Sequence, residues 1–164
     1  MRASCIAYEK KIKKLGGIDL QILGIGRTGH IGFNEPGSNI NSETRLIALD
    51  EITREDASSE FNGLNFVPKK AITMGISTIL KSKRIVLLAW GHKKSNIIAK
   101  TIEGEVSTTA PATFLQNHDN TTFILDQESS ADLTKYRTPW LVKDIKWDDN
   151  KKKKAIIWHS KIVK

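Results

Sequence analysis

Apolar positions along this chain fall into short blocks separated by glycine-rich or charged turns. Ile6, Ile12 and Leu15, with lysines between them and Gly16-Gly17 after, predict an amphipathic helix that runs to a glycine stop. Ile18 to Leu23 then reads as a first strand and Thr44 to Leu49 as another. Asp50 to Phe61 carries charges at helical spacing, with Ile52 and Ala57 expected to face inward. Ala71 to Leu80 predicts a short strand turning into a helix. The clearest block is Arg84 to Gly91, a continuous apolar run bounded by charge and glycine, as in strands covered on both faces. Lys93 to Ile102 predicts a helix and Thr121 to Leu125 a last core strand. Strands alternating with helices give an α/β class with parallel pairing and right-handed crossovers.

Ligands of such sheets bind beyond the carboxyl ends of the strands. Two loops fall there: Gly24 to Glu35, after the first strand, and Gly91-His92-Lys93-Lys94, after the strongest one. The first loop is the more informative. Its glycines turn backbone N–H groups toward an anionic or polyhydroxy ligand, and it holds His30 and Glu35 five residues apart, just before Pro36. A histidine titrates near neutral pH and a carboxylate is its natural partner in proton transfer. The bland alternative is a structural hydrogen-bonding histidine. Gly24, Gly26 and Gly29 also satisfy the spacing of a dinucleotide-binding fingerprint, but that motif needs a helix of several turns after its last glycine, and Pro36-Gly37-Ser38-Asn39 reads as turn. The second loop offers Lys93 and Lys94 at a helix start, suited to a phosphate, against the plain reading of surface lysines.

The chain's 164 residues, 39% of them hydrophobic, amount to one domain with a real core. No stretch approaches the roughly 20 apolar residues of a membrane span. The absence of a signal peptide and the lone Cys5 favour a reducing, cytoplasmic setting. The net charge of +8 is a property of one end: residues 135–164 hold ten Lys and Arg against three Asp, or seven of the eight charges. Lys151 to Lys154 near Trp147 and Trp158 admit a nucleic-acid patch. A solvated lysine run beside the apolar Ala155-Ile156-Ile157-Trp158 explains them as well, and nothing else resembles a nucleic-acid module.

With these residues laid out, the chain resembles the glucosamine-6-phosphate deaminase and isomerase family, which shares a Rossmann-like, three-layer α/β/α fold with 6-phosphogluconolactonases. The matching features run in order over about residues 5 to 126: Gly16-Gly17-Ile18-Asp19-Leu20, Gly24-Ile25-Gly26, Gly29-His30-Ile31-Gly32-Phe33-Asn34-Glu35-Pro36, Val67-Pro68-Lys69, Ala71-Ile72-Thr73-Met74-Gly75, Gly91-His92-Lys93-Lys94 and Pro111-Ala112-Thr113-Phe114-Leu115-Gln116. The resemblance implies a cofactor-free reaction in which glucosamine 6-phosphate and water give fructose 6-phosphate and ammonia. On that model His30 moves protons during ring opening and Glu35 holds and tunes it. Lys94 binds the phosphate, and Gly24 and Gly26 bring backbone against the sugar. Asn34-Glu35-Pro36 after the histidine block fits the deaminase branch better than the lactonase branch.

Three departures accompany the resemblance. Thr28 stands where the family has an aspartate, and a hydroxyl carries no charge at pH 7. A phosphate-assisting helix arginine falls at about Ser59, with Arg54 one or two turns away. The aspartate that abstracts the C2 proton belongs to an amino-terminal half with no counterpart here. Residues 1–134 therefore read as the carboxyl-terminal portion of a deaminase-like domain, lacking its opening strands. Residues 135–164 read as a basic tail resembling the segment before a second domain in longer bacterial relatives. A sheet without its opening strands is expected to expose an edge and an apolar face. The expected partners are a phosphorylated aminosugar and either a second copy or the missing half. The alternative is a sugar-phosphate-binding remnant without catalysis.

Overall fold

The computed structural model describes residues 1–163; Lys164, the last residue of the expected tail, lies outside the described residues. Helix α1 (Arg2–Lys14) stops before the glycine pair, as expected. The core is built on strands β1 (Leu20–Leu23), β4 (Arg84–Ala89) and β5 (Thr121–Leu125), after β2 (Arg45–Ala48) and β3 (Lys70–Thr73) have paired apart from them. The three-stranded sheet has the order β1-β4-β5 and is parallel throughout, with Leu23 opposite Leu87 and Leu87 opposite Phe123. The continuous apolar run of β4 takes the centre because a central parallel strand has a neighbour on each edge.

One face of this sheet is closed. Ile85, Leu87 and Ala89 of β4 pack with Leu23, with Ile79 of α3 (Ile76–Leu80) and with Ile97 and Ile98 of α4 (Ser95–Glu103); Ala112 and Leu115, from the 3-10 segment Pro111–Asn117, complete the layer. Full burial of Ile85, Leu87, Ile98 and Leu115 contributes roughly 1.5–3 kcal/mol each. The opposite face is bare: Leu20, Ile22 and Ile124 are about half exposed, and Val86 and Leu88 between them are only partly covered. The expectation that β4 is covered on both faces therefore holds for one.

Sequence patterning missed two features. β2 and β3 form a separate antiparallel pair, with Leu46 opposite Ile72. In α2 (Glu51–Ala57), which opens on an Asp50 side-chain cap, the buried residue is Thr53, while Ile52 is exposed. The carboxylate of Glu9 anchors α1 by accepting from the Thr44 N–H and the Thr78 hydroxyl, both at 2.8 Å. Beyond the core, α5 (Thr134–Arg137) and α6 (Asp149–Ile162) carry the basic end. There Trp140 stacks on Trp147 and meets Trp158 edge-on, while Lys152, Lys153 and Lys154 face solvent.

Candidate active site

The loop after β1 is built to hold one imidazole. The His30 ring lies against the backbone of Gly26, whose N–H donates to the His30 carbonyl at 3.0 Å; a methyl group on Gly26 would occupy the space of the ring itself. Gly29, at φ +80°, lies where an added Cβ would be 2.9 Å from both Ala110 and Ile97, so the turn before His30 has room for glycine alone. Gly24 differs, because the space around it is open.

Three side chains converge on Nδ1 of His30: Glu35 Oε2 at 3.0 Å, the Thr28 hydroxyl at 3.1 Å and the Thr53 hydroxyl at 3.2 Å. Nδ1 carries at most one hydrogen, and the carboxylate is the strongest acceptor of the three. The network thus assigns the hydrogen to Nδ1 and leaves Nε2 as the basic atom, with no hydrogen bond among the described residues. The pair is sheltered, the His30 and Glu35 side chains being 14% and 7% exposed. Burial works to raise the Glu35 carboxyl, but hydrogen bonds with His30 and Thr53, the charge interaction with His30 and the Asp50 backbone together outweigh that, and the net shift is below the ordinary glutamate value. Its second oxygen, Oε1, is buried without a partner among the described residues.

A lowered folded-state pKa means that ionised Glu35 stabilises the fold fully above its ordinary value of 4.5 and less as pH falls through the lower folded value. Thermal melts from pH 7 to pH 3 are therefore expected to show Glu35→Gln losing less stability than the parent below pH 4.5; parallel curves would contradict the pairing.

A buried amide fixes the turn that carries Glu35. Asn34, fully buried, donates to the carbonyls of Ile31 and Met74 at 2.9 and 2.8 Å, while its own oxygen accepts from Arg45 Nη1 at 2.8 Å. Arg45 also reaches Ser38, and the Phe33 N–H donates to Thr73. Asn34→Ala would remove its bonds to Ile31, Met74 and Arg45 and leave Arg45 Nη1 without its amide acceptor, at a cost of about 1–3 kcal/mol. Amide exchange at residues 31 to 35 is expected to speed up about tenfold or more; unchanged protection would show that the turn is held otherwise.

The β4 loop joins the same end of the sheet. Lys94 donates from Nζ to the Ile25 carbonyl at 2.7 Å, and its partial burial lowers its pKa. Lys93 is exposed. The Gly91 and His92 N–H groups are already held by Asp126 and Glu128, which leaves the lysine side chains as what this loop offers, and of these Lys94 bonds the β1 loop. Arg54 is turned elsewhere, donating to the Leu64 carbonyl, and Ser59 is exposed. The fold brings His30, Glu35, Thr28 and Lys94 to one end of the sheet, and it adds Thr53, Asn34 and Arg45, which sequence reasoning missed. Thr53 reaches His30 from a helix 23 residues away, and no local pattern marks it. No helix among the described residues is long and apolar enough to cross a membrane.

The family model described as glucosamine-6-phosphate isomerases/6-phosphogluconolactonase matches residues 1–124. A glucosamine-6-phosphate deaminase of Halothermothrix orenii is 50% identical over 131 residues, covering 80% of this chain and 54% of the relative. A glucosamine-6-phosphate deaminase-like protein of Bacteroides thetaiotaomicron is 47% identical over 154 residues, 94% of this chain and 23% of its own length. A solved monomeric glucosamine-6-phosphate deaminase superposes with a TM-score of 0.78 at 46% identity, covering 80% of this chain and 54% of that one. The 6-phosphogluconolactonase of Trypanosoma brucei shares the fold, with a TM-score of 0.58 at 23% identity over 79% of this chain and 52% of its own. The chain thus spans about half the length of the deaminases it matches. On a match that covers most of its length, the chain belongs to the glucosamine-6-phosphate isomerase/6-phosphogluconolactonase family.

Proposed function

We propose that this chain supplies the ring-opening half of a site that converts glucosamine 6-phosphate and water to fructose 6-phosphate and ammonia. The observation that carries the reading is the His30–Glu35 pair with Nε2 open, at the carboxyl end of β1 and beside Lys94. Nε2 takes the proton of the anomeric hydroxyl and returns one to the ring oxygen as the pyranose opens. Glu35 accepts from Nδ1 and stabilises the imidazolium formed in between. Thr28 hydrogen-bonds the same atom but adds no charge, so Glu35 is the only carboxylate against this imidazole among the described residues. Lys94 attracts the phosphate, and Gly24 leaves backbone open to the sugar. Deaminase relatives at about 50% identity favour this chemistry over lactone hydrolysis.

The base that moves the C2 proton is assigned to a segment outside these residues, corresponding to the amino-terminal half of the family. The uncovered face of Leu20, Ile22 and Ile124, and the unpaired edge of β1, support such a partner. Residues 1–134 form the sugar-phosphate portion and 135–164 a basic extension. The buried, unpaired Cys5 suits a reducing, cytoplasmic compartment. The test is ammonia release from glucosamine 6-phosphate by the chain alone and mixed with the amino-terminal half of a relative. Release in the mixture alone supports the reading; release in neither favours a binding remnant.

A further inference from the structure

Beside Lys94 stands a guanidinium that the ring-opening chemistry does not use. Arg27 grips Asp56 with both arms, Nη2 to Oδ1 at 2.6 Å and Nε to Oδ2 at 2.9 Å, and each side chain is 44% exposed. Arg27 sits two residues after Ile25, the residue whose carbonyl holds Lys94. The groups feel one another: Asp56 interacts favourably with Lys93 and Lys94 as well as Arg27, and Lys94 and Arg27 repel. Glu55 adds a further negative charge near Arg27. Three cations therefore share one gripped carboxylate at the rim of the His30 loop.

A guanidinium fork fits two oxygens of a carboxylate or of a phosphate in the same plane, and a phosphate dianion brings twice the charge. An ion pair this exposed is screened by water and holds only weakly, so little opposes its exchange. Moreover, α2 offers Asp56, and the turn after it an exposed Ser59 where the resemblance leads one to expect an arginine, while the β1 loop carries Arg27. We propose that Arg27 is the second phosphate-holding cation of this site, and that Asp56 is an internal stand-in for the substrate phosphate, displaced when the phosphate arrives. The substrate class this selects is a sugar monophosphate held between Arg27 and Lys94. The inference rests on the sugar-phosphate reading above.

Inorganic phosphate, titrated into the full 164-residue chain and followed by amide chemical shifts, tests it apart from turnover. Arg27→Met is expected to weaken phosphate binding about tenfold or more, the worth of a charge-assisted pair, with Arg27→Lys in between because it lacks the fork. Asp56→Asn, which leaves Arg27 in place, is expected to tighten binding about twofold to fivefold by removing the competitor. If Lys94→Met abolishes binding while Arg27→Met and Asp56→Asn leave it unchanged, Arg27 is a surface ion pair only and the sugar-phosphate reading survives. If the parent chain binds no phosphate, both fail. Unchanged chemical shifts in the core of each variant confirm that it is folded.

Discussion

Replacing His30 by glutamine is expected to lower ammonia release by the completed site about a thousandfold, within the range of a lost acid–base group, with the fold intact. Glutamine fills much of the imidazole's space and its amide can still donate to Glu35, so the pocket keeps its packing and its main hydrogen bond. What it lacks is a nitrogen lone pair basic enough to take a proton near neutral pH. The effect should fall on kcat rather than KM, because the phosphate is held by Lys94 on another loop. Retention of more than about a tenth of the parent rate, far above what acid–base loss permits, would remove His30 from the proton-transfer step. A rise in KM alone would make it a binding residue.

The second large effect is expected at a residue with no side chain. A methyl group at Gly26 has no space, because the His30 ring lies where the Cβ would be. In Gly26→Ala the ring must swing away, breaking the 3.0 Å contact between Nδ1 and Glu35 and the convergence of Thr28 and Thr53 on the same atom. Activity is expected to fall about a hundredfold or more, approaching the loss of the histidine itself, and the NMR signal of a hydrogen-bonded Nδ1–H should disappear with it. Gly24→Ala is the matched control, since nothing lies within 4 Å of an added Cβ there. A loss in Gly24→Ala with the imidazole signal unchanged would come from contact with the sugar. Equal, small losses in both variants would mean that His30 does not depend on its bed.

These two positions also mark what was legible in the sequence. The run Arg84 to Gly91 announced a strand because an unbroken apolar stretch bounded by charge and glycine calls for burial, although only one of its two expected faces is covered, and Gly16-Gly17 marked the end of α1. His30 and Glu35 were readable as a pair because they share one short loop with glycines before it and a proline after. The rest depends on segments meeting across the fold. Thr53 comes to His30 from the first turn of α2, where apolar patterning points Ile52 inward instead; burial there went to the hydroxyl because the helix faces a polar site. Asn34 and Arg45 lock the Glu35 turn across 11 residues, and β2 pairs antiparallel with β3 across an intervening helix. The bare face of the main sheet matches the exposed apolar face expected from the resemblance, which no window of apolar periodicity registers.

The central claim is that His30, Glu35 and Lys94 form one part of an aminosugar-phosphate deaminase site whose C2 base comes from another segment. The most direct measurement is ammonia release from glucosamine 6-phosphate by this chain alone, by the amino-terminal half of a deaminase relative alone, and by the two mixed, with the His30→Gln chain as the fourth arm. Release only in the mixture, abolished by His30→Gln, is the predicted result. Release by this chain alone, or release in the mixture that His30→Gln leaves unchanged, would contradict it.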